Sequence, residues 1–165
     1  DQVRFVRALP EQLRTQLLVR LFPTDYGWSQ ERRWRDRLPN VHLETGETSM
    51  ESLMARSRLQ IATYNATAHL ETLALNVPTI AFWDPRRFEL RPSAVPHLQI
   101  LRAAGIFHDT PESAAAQMAR VWDDVAAWWQ SPNVQTAREE FCFQYSHMPE
   151  KPLEKIGRIL HEIAR

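Results

Sequence analysis

Apolar and polar positions along the chain alternate between two periods, and each change of period marks a predicted element. Residues 5–16 carry apolar side chains at Phe5, Val6, Leu9 and Leu13 with charges between them, which is helical spacing broken where Pro10 lacks a backbone donor. Residues 17–22 form a short apolar run closed by Pro23, a buried strand. Residues 24–28 form a loop, and Ser29 stands where it would cap a helix over residues 30–38. Residues 41–44 alternate apolar with polar between Pro39-Asn40 and Gly46, predicting a second strand, and Thr48 or Ser49 would cap a helix over 50–56. A third strand is predicted over residues 59–64, with the capping triplet Asn65-Ala66-Thr67 and a helix over 68–75 directly behind it. Asn76-Val77-Pro78 stops that helix before a fourth strand over residues 79–83.

The second half changes character. A helix over residues 93–104 ends at Gly105, residues 106–108 give a short last strand, and Thr110-Pro111-Glu112 supplies the cap, first-turn proline and acid of a new helix reaching residue 130. Residues 133–145 and 153–164 read as two more helices. Strands alternating with helices across short connections imply a parallel sheet covered on both faces. The expected fold class is therefore α/β: a Rossmann-like parallel sheet with flanking helices and an all-helical C-terminal segment.

Composition narrows the functional classes. At 165 residues the chain has the size of one domain, and residues 1–165 are read as one, with no internal repeat or low-complexity linker. Lys plus Arg (20) equals Asp plus Glu (20), so no overall field draws the chain to nucleic acid or anionic lipid, and any anion site must be local. The densest basic stretch, Arg32, Arg33, Arg35 and Arg37, is interleaved with Glu31, Trp34 and Asp36 and reads as a solvated helix face. Cys142 is the only cysteine, which excludes an internal disulfide and suits a reducing compartment. No apolar run approaches the ~20 residues that span a bilayer, and residues 1–4 lack a signal-peptide pattern, so the expected location is the cytoplasm. The missing initiator methionine points to a piece of something longer. The six histidines (His42, His69, His97, His108, His147, His161) show neither i, i+4 pairing nor an HExxH pattern, so no metal is expected.

In an open parallel sheet, ligands bind beyond the carboxyl ends of the strands, where loops run into helix N-termini. One junction stands out: Tyr64-Asn65-Ala66-Thr67-Ala68-His69-Leu70-Glu71-Thr72. Free N–H groups and the helix dipole at such a start favour phosphate, the Thr67 hydroxyl adds a donor, and Glu71 lies one turn on along the same face, where a carboxylate can accept from ribose hydroxyls. On spacing alone the plain alternative stands equally: Asn65 or Thr67 caps the helix and Glu71 is a solvated acid.

Tyr64-Asn65-Ala66-Thr67, followed by Glu71-Thr72-Leu73-Ala74-Leu75 and Pro78-Thr79-Ile80, resembles the donor-binding motif in the C-terminal domain of GT-B-fold transferases. The stretch is similar to a bacterial surface-carbohydrate transferase family, and more distantly to CDP-glycerol glycerophosphotransferases and UDP-sugar 2-epimerases. Trp83-Asp84-Pro85, Ala104-Gly105-Ile106, Pro111-Glu112 and residues 122–129 and 135–145 agree with it, so the likeness covers most of the chain. It implies one GT-B lobe that takes a nucleotide-activated sugar or polyol phosphate as substrate, with Asn65, Ala66 and Thr67 at the diphosphate, Glu71 on ribose or sugar and His69 flanking the site. It also implies an N-terminal lobe of the same protein as partner. The familiar Gly-Gly or Gly-Ser pair is missing from the turn, where Ala66 stands instead.

Further candidates come from strand ends. Arg20 could neutralise a diphosphate or form a surface ion pair with a nearby acid. Glu44, with Thr45 and Gly46, could contact base or ribose. Tyr26 and Trp28 could stack on a base or cover a core edge. Arg86, Arg87 and Arg91 could approach the ligand or form a solvated loop. Trp122, Trp128 and Trp129 read as core or interface, and Cys142, between Phe141 and Phe143, as a small buried hydrophobe. Three functions stay open: a transferase donor lobe, a non-catalytic nucleotide-binding module, and an epimerase-like enzyme.

Overall fold

The computed structural model describes residues 1–147 and 151–163. All four residues of strand β4 (Thr79–Phe82) are buried, and because successive side chains of a strand point to opposite faces, they divide two apolar clusters. Ala81, with Trp83 just beyond the strand, joins Leu73, Leu98, Leu101, Phe107, Trp129 and Phe141. Ile80 and Phe82 join Phe5, Val6, Leu9, Leu21, Trp34 and Met118 on the other side. β4 pairs in parallel with β3 (Gln60–Ala62), placing Ile61 opposite Ile80, and with β5 (Phe107–His108), placing Ala81 opposite Phe107. This is the helix–sheet–helix layering that the strand pattern predicts.

Helices α5 (Thr67–Ala74), α6 (Val95–Ala103) and α9 (Pro132–Tyr145) contribute to the first cluster. On the other face, α1 (Gln2–Ala8) packs along α7 (Pro111–Val121), and the Phe5 ring stacks on Phe82 with centroids 5.1 Å apart. α2 (Glu11–Arg14) follows Pro10, which splits the first predicted helix as expected.

Strands β1 (Leu18–Arg20) and β2 (His42–Glu44) form a separate parallel pair. The strands thus fall into two sheets, β1-β2 and β3-β4-β5, where the sequence predicts one. Strands this short offer few ladder groups, and apolar packing joins the pairs instead: Leu17, Val19 and Leu43 rest on the same cluster as Leu59 and Ile61.

Local chemistry departs from the sequence pattern at three helix starts. Ser29 precedes α3 (Gln30–Arg35) with φ +49° and makes no side-chain cap; Asp25 accepts from the amides of Trp28 and Ser29 at 2.8 and 3.1 Å. The predicted helix to residue 130 breaks after Val121 into a 3₁₀ turn at Trp122–Asp124, and α8 (Val125–Trp129) restarts where Asp124 accepts from the Ala127 amide at 2.9 Å. The third is α5, described below. Elsewhere the expected caps are present: Ser49 accepts from Ser52 N at the start of α4 (Met50–Arg56), and Thr110 from Ser113 N at α7. α10 (Pro152–Ile163) covers the last predicted helix, of which Ala164 lies outside the described residues.

Two loops depend on glycine. Gly46 has φ +96°, and a Cβ there would lie 2.6 Å from the Pro23 side chain; Gly105 has φ +74°, with Gln117 Nε2 2.7 Å from the same virtual atom. The Gly46 contact ties the loop after β2 to the loop after β1.

Candidate functional site

α5 starts immediately beyond the exit of β3 and is finished differently at its two ends. Ala66 occupies the N-cap position, and no side chain among the described residues accepts from the first-turn amides. Asn65 and Thr67 are exposed and make no side-chain hydrogen bond among the described residues, so neither caps the helix. The unpaired N–H groups and the positive end of the helix dipole therefore face outward beside the Thr67 hydroxyl and the half-buried Ala66. Glu71, one turn further, is exposed, and its carboxylate is likewise unengaged among the described residues.

The opposite end of α5 is closed. Asn76 takes a left-handed conformation (φ +55°) just past the helix, and its Oδ1 accepts from Trp129 Nε1 at 2.8 Å and from Gln135 Nε2 at 3.2 Å. Arg138, from α9, donates to the Leu73 carbonyl at 3.1 Å, placing a guanidinium at the negative end of the dipole. The helical C-terminal third thus fixes α5 from behind, which sequence patterning did not reveal. Its one signal was Asn76, read there only as a stop.

His69 differs from its neighbours. It is 4% exposed, with its ring 5.1 Å from Trp83 and 6.3 Å from Phe141. Burial pushes its pKa down to about 4, a bond to the Ala66 backbone opposing the shift only in part. The structure thus sets the imidazole, neutral at physiological pH, in the first apolar cluster's aromatic wall, while Asn65 and Thr67 stand in solvent.

Arg20 and Glu44 end the paired strands β1 and β2 in register. Arg20 Nε lies 3.4 Å from Glu44 Oε2, and a guanidinium nitrogen reaches the Thr48 carbonyl at 3.4 Å. Glu44 Oε1 accepts from the Thr48 amide at 2.8 Å; that bond, with further backbone amides at Gly46 and Glu47 and the Arg20 charge, holds the carboxyl below its ordinary pKa against the opposing effect of burial. Glu44 is therefore occupied in shaping residues 46–48, and Arg20 presents a guanidinium already shared with it. No hydrogen bond or ion pair among the described residues links this pair to residues 65–71.

The loop after β1 carries an exposed aromatic row, Phe22 to Tyr26 at 5.8 Å and Tyr26 to Trp28 at 5.5 Å between centroids, so these rings do not cover a core edge. After β4, Arg86 and Arg87 turn onto Asp84, and the Arg86 contacts pull the Asp84 pKa down to about 2. Trp129 and Cys142 are core residues. Among the described residues no three His, Cys, Asp or Glu side chains cluster as metal ligands, and no helix is long and apolar enough to cross a membrane.

A strand exit feeding an uncapped helix start, with a hydroxyl and an exposed carboxylate on its face, offers hydrogen-bond donors of the kind anions accept and an acceptor of the kind hydroxyls use. The family model for the LIC12162 family transferases matches residues 1–160. The chain belongs to this family. Comparison with curated proteins and with solved structures yields no match. The LIC12162 family match covers every element on which the candidate site is built, from α1 through α9, and establishes a transferase.

Proposed function

We propose that this LIC12162 family chain is the donor-binding lobe of a transferase that moves a sugar or polyol phosphate from a nucleotide-activated donor to a cell-surface carbohydrate acceptor. One observation carries the reading: the first-turn amides of α5 are left without a side-chain cap while the other end of the helix is held by Trp129, Gln135 and Arg138. A rigid helix with an open positive end is a preformed diphosphate cradle. Asn65, Ala66 and Thr67 contact the diphosphate, and Glu71 accepts from sugar or ribose hydroxyls. Leaving-group charge is stabilised by the N–H groups of α5 and by Arg20 as it shares its guanidinium with Glu44, in chemistry that does not strictly need a metal. On the GT-B resemblance a second lobe supplies the acceptor pocket and the general base, and the protein works in the cytoplasm, where nucleotide sugars are made.

Calorimetric titration of the chain with UDP-, CDP- and GDP-sugars tests the reading. One base class binds, and Thr67→Ala and Glu71→Ala each weaken that binding by about tenfold, equivalent to ~1.4 kcal/mol. Binding of none of the three, or affinities untouched by both substitutions, sinks the donor-site assignment. Activity of the parent protein toward a carbohydrate acceptor separates transfer from sensing or epimerisation.

A further inference from the structure

A cavity of about 520 Å³ lies between the C-terminal end of α6, the second half of α7 and the turn from α8 into α9. Its walls include Arg102, His108, Gln117, Arg120, Ser131 and Asn133. No carboxylate is among the wall residues, whereas two guanidinium groups are. The nearest acid that engages either is Asp109, which holds Arg102 through paired bonds at 2.9 and 2.6 Å from outside the wall. Arg120 donates to Gln117 Oε1, and this fixes the orientation of the Gln117 amide. Gln117 is 3% exposed, and its Nε2 has no hydrogen-bond partner among the described residues. Gln117 therefore holds Arg120 at the wall through Oε1 while its own amide nitrogen is sealed against Gly105. Gly105 leaves room for the same amide, since a Cβ there would lie 2.7 Å from Nε2.

We propose that this cavity binds a small phosphomonoester, separately from the α5 corner. Arg120, held by Gln117, and Arg102 donate to the phosphoryl oxygens, and Asn133 and Ser131 face the organic part. Guanidinium groups suit a dianionic, multi-oxygen acceptor, and the volume admits a ligand of sugar-phosphate size. The place in the fold is distinct: Gly105 precedes β5, and Gln117 and Arg120 lie late in α7, so the cavity sits toward the entry of β5 and not at a strand exit. His108 adds a reporter. Its Nε2 contacts the Gly105 carbonyl at 3.1 Å, and its pKa is lowered first by burial and further by Arg120 and Arg102, an effect a bound anion would reverse.

The test is a nuclear magnetic resonance titration of the full chain with glucose 6-phosphate, with glucose and inorganic phosphate as parallel probes. Glucose 6-phosphate produces saturable shifts at the Gln117 side-chain amide and the His108 ring, phosphate a weaker saturable response, and glucose none. Arg120→Gln and, separately, Asn133→Ala weaken glucose 6-phosphate by about tenfold with circular dichroism unchanged. Glu71→Ala, at the proposed donor corner, leaves this binding intact, so the two sites fail or stand independently. Equal response to glucose, no saturation, or full affinity in both cavity variants overturns the proposal.

Discussion

The indole N–H of Trp129 donates to Asn76 Oδ1 at 2.8 Å and lies 3.1 Å from the Asn76 carbonyl, joining positions 53 apart in the chain. Trp129 is 1% exposed, so its hydrogen bond is made inside the first apolar cluster. Trp129→Phe keeps most of the buried ring and leaves Asn76 Oδ1 with the longer bond from Gln135 as its remaining side-chain contact. The expected cost is ~1–3 kcal/mol, read as a lower urea midpoint with unchanged slope.

His69 makes stability depend on pH in a defined window. Its folded pKa of about 4 lies below the ordinary value of 6.5, so the unfolded chain takes up the proton first. The neutral ring's contribution is complete above pH 6.5, falls as pH drops toward 4, and is fully lost below that. With ~1.4 kcal/mol per pKa unit the loss amounts to at most ~3 kcal/mol. Chemical unfolding at pH 7, 5.5 and 4 measures it. In His69→Leu the slope across this window flattens, leaving the smaller part from His108, whose pKa is also lowered by burial.

Gly46 and Gly27 form a natural pair of tests. Both have positive φ, +96° and +83°, but a Cβ at Gly46 would strike Pro23 at 2.6 Å, whereas nothing lies within 4 Å of one at Gly27. Gly27→Ala therefore carries only backbone strain, ~1 kcal/mol, and Gly46→Ala adds a steric clash that raises the cost to ~2–4 kcal/mol. Thermal melts of the two variants should differ in that order; equal melting temperatures would falsify the steric account.

Glu44 is predicted to organise its loop before it serves any ligand. Glu44→Ala removes the acceptor of the Thr48 amide and the partner of Arg20. Amide hydrogen exchange at Thr48 accelerates by about tenfold, while exchange in β4 is unaltered.

The fold was readable where local pattern and burial agree. The buried run at residues 79–83 could only be a central strand, and Thr110-Pro111-Glu112 carried its helix start in its own chemistry. What escaped depends on residues far apart in sequence. Asn65 and Thr67 have the composition of caps, yet neither side chain bonds back, a matter of rotamer and backbone geometry that residue type does not encode. The resemblance puts His69 at the flank of the site; that its ring packs on Trp83 and Phe141, which come from a strand exit and from α9, is a tertiary relation that sequence spacing does not show. The break after Val121 was invisible because Trp122, Asp123 and Asp124 are all tolerated in a helix. Gln117 became notable only once Gly105, Arg120 and the α8–α9 turn were seen around it.

The Phe5–Phe82 stack gives the opening helix a role out of proportion to its seven residues. Phe5, Val6 and Leu9 roof the face of β4 opposite α5, so a version trimmed to begin after Leu9 would bare Phe82 and Met118 to water. Such a trimmed protein is expected to collect in inclusion bodies, and anyone choosing expression boundaries for this chain should leave that roof in place.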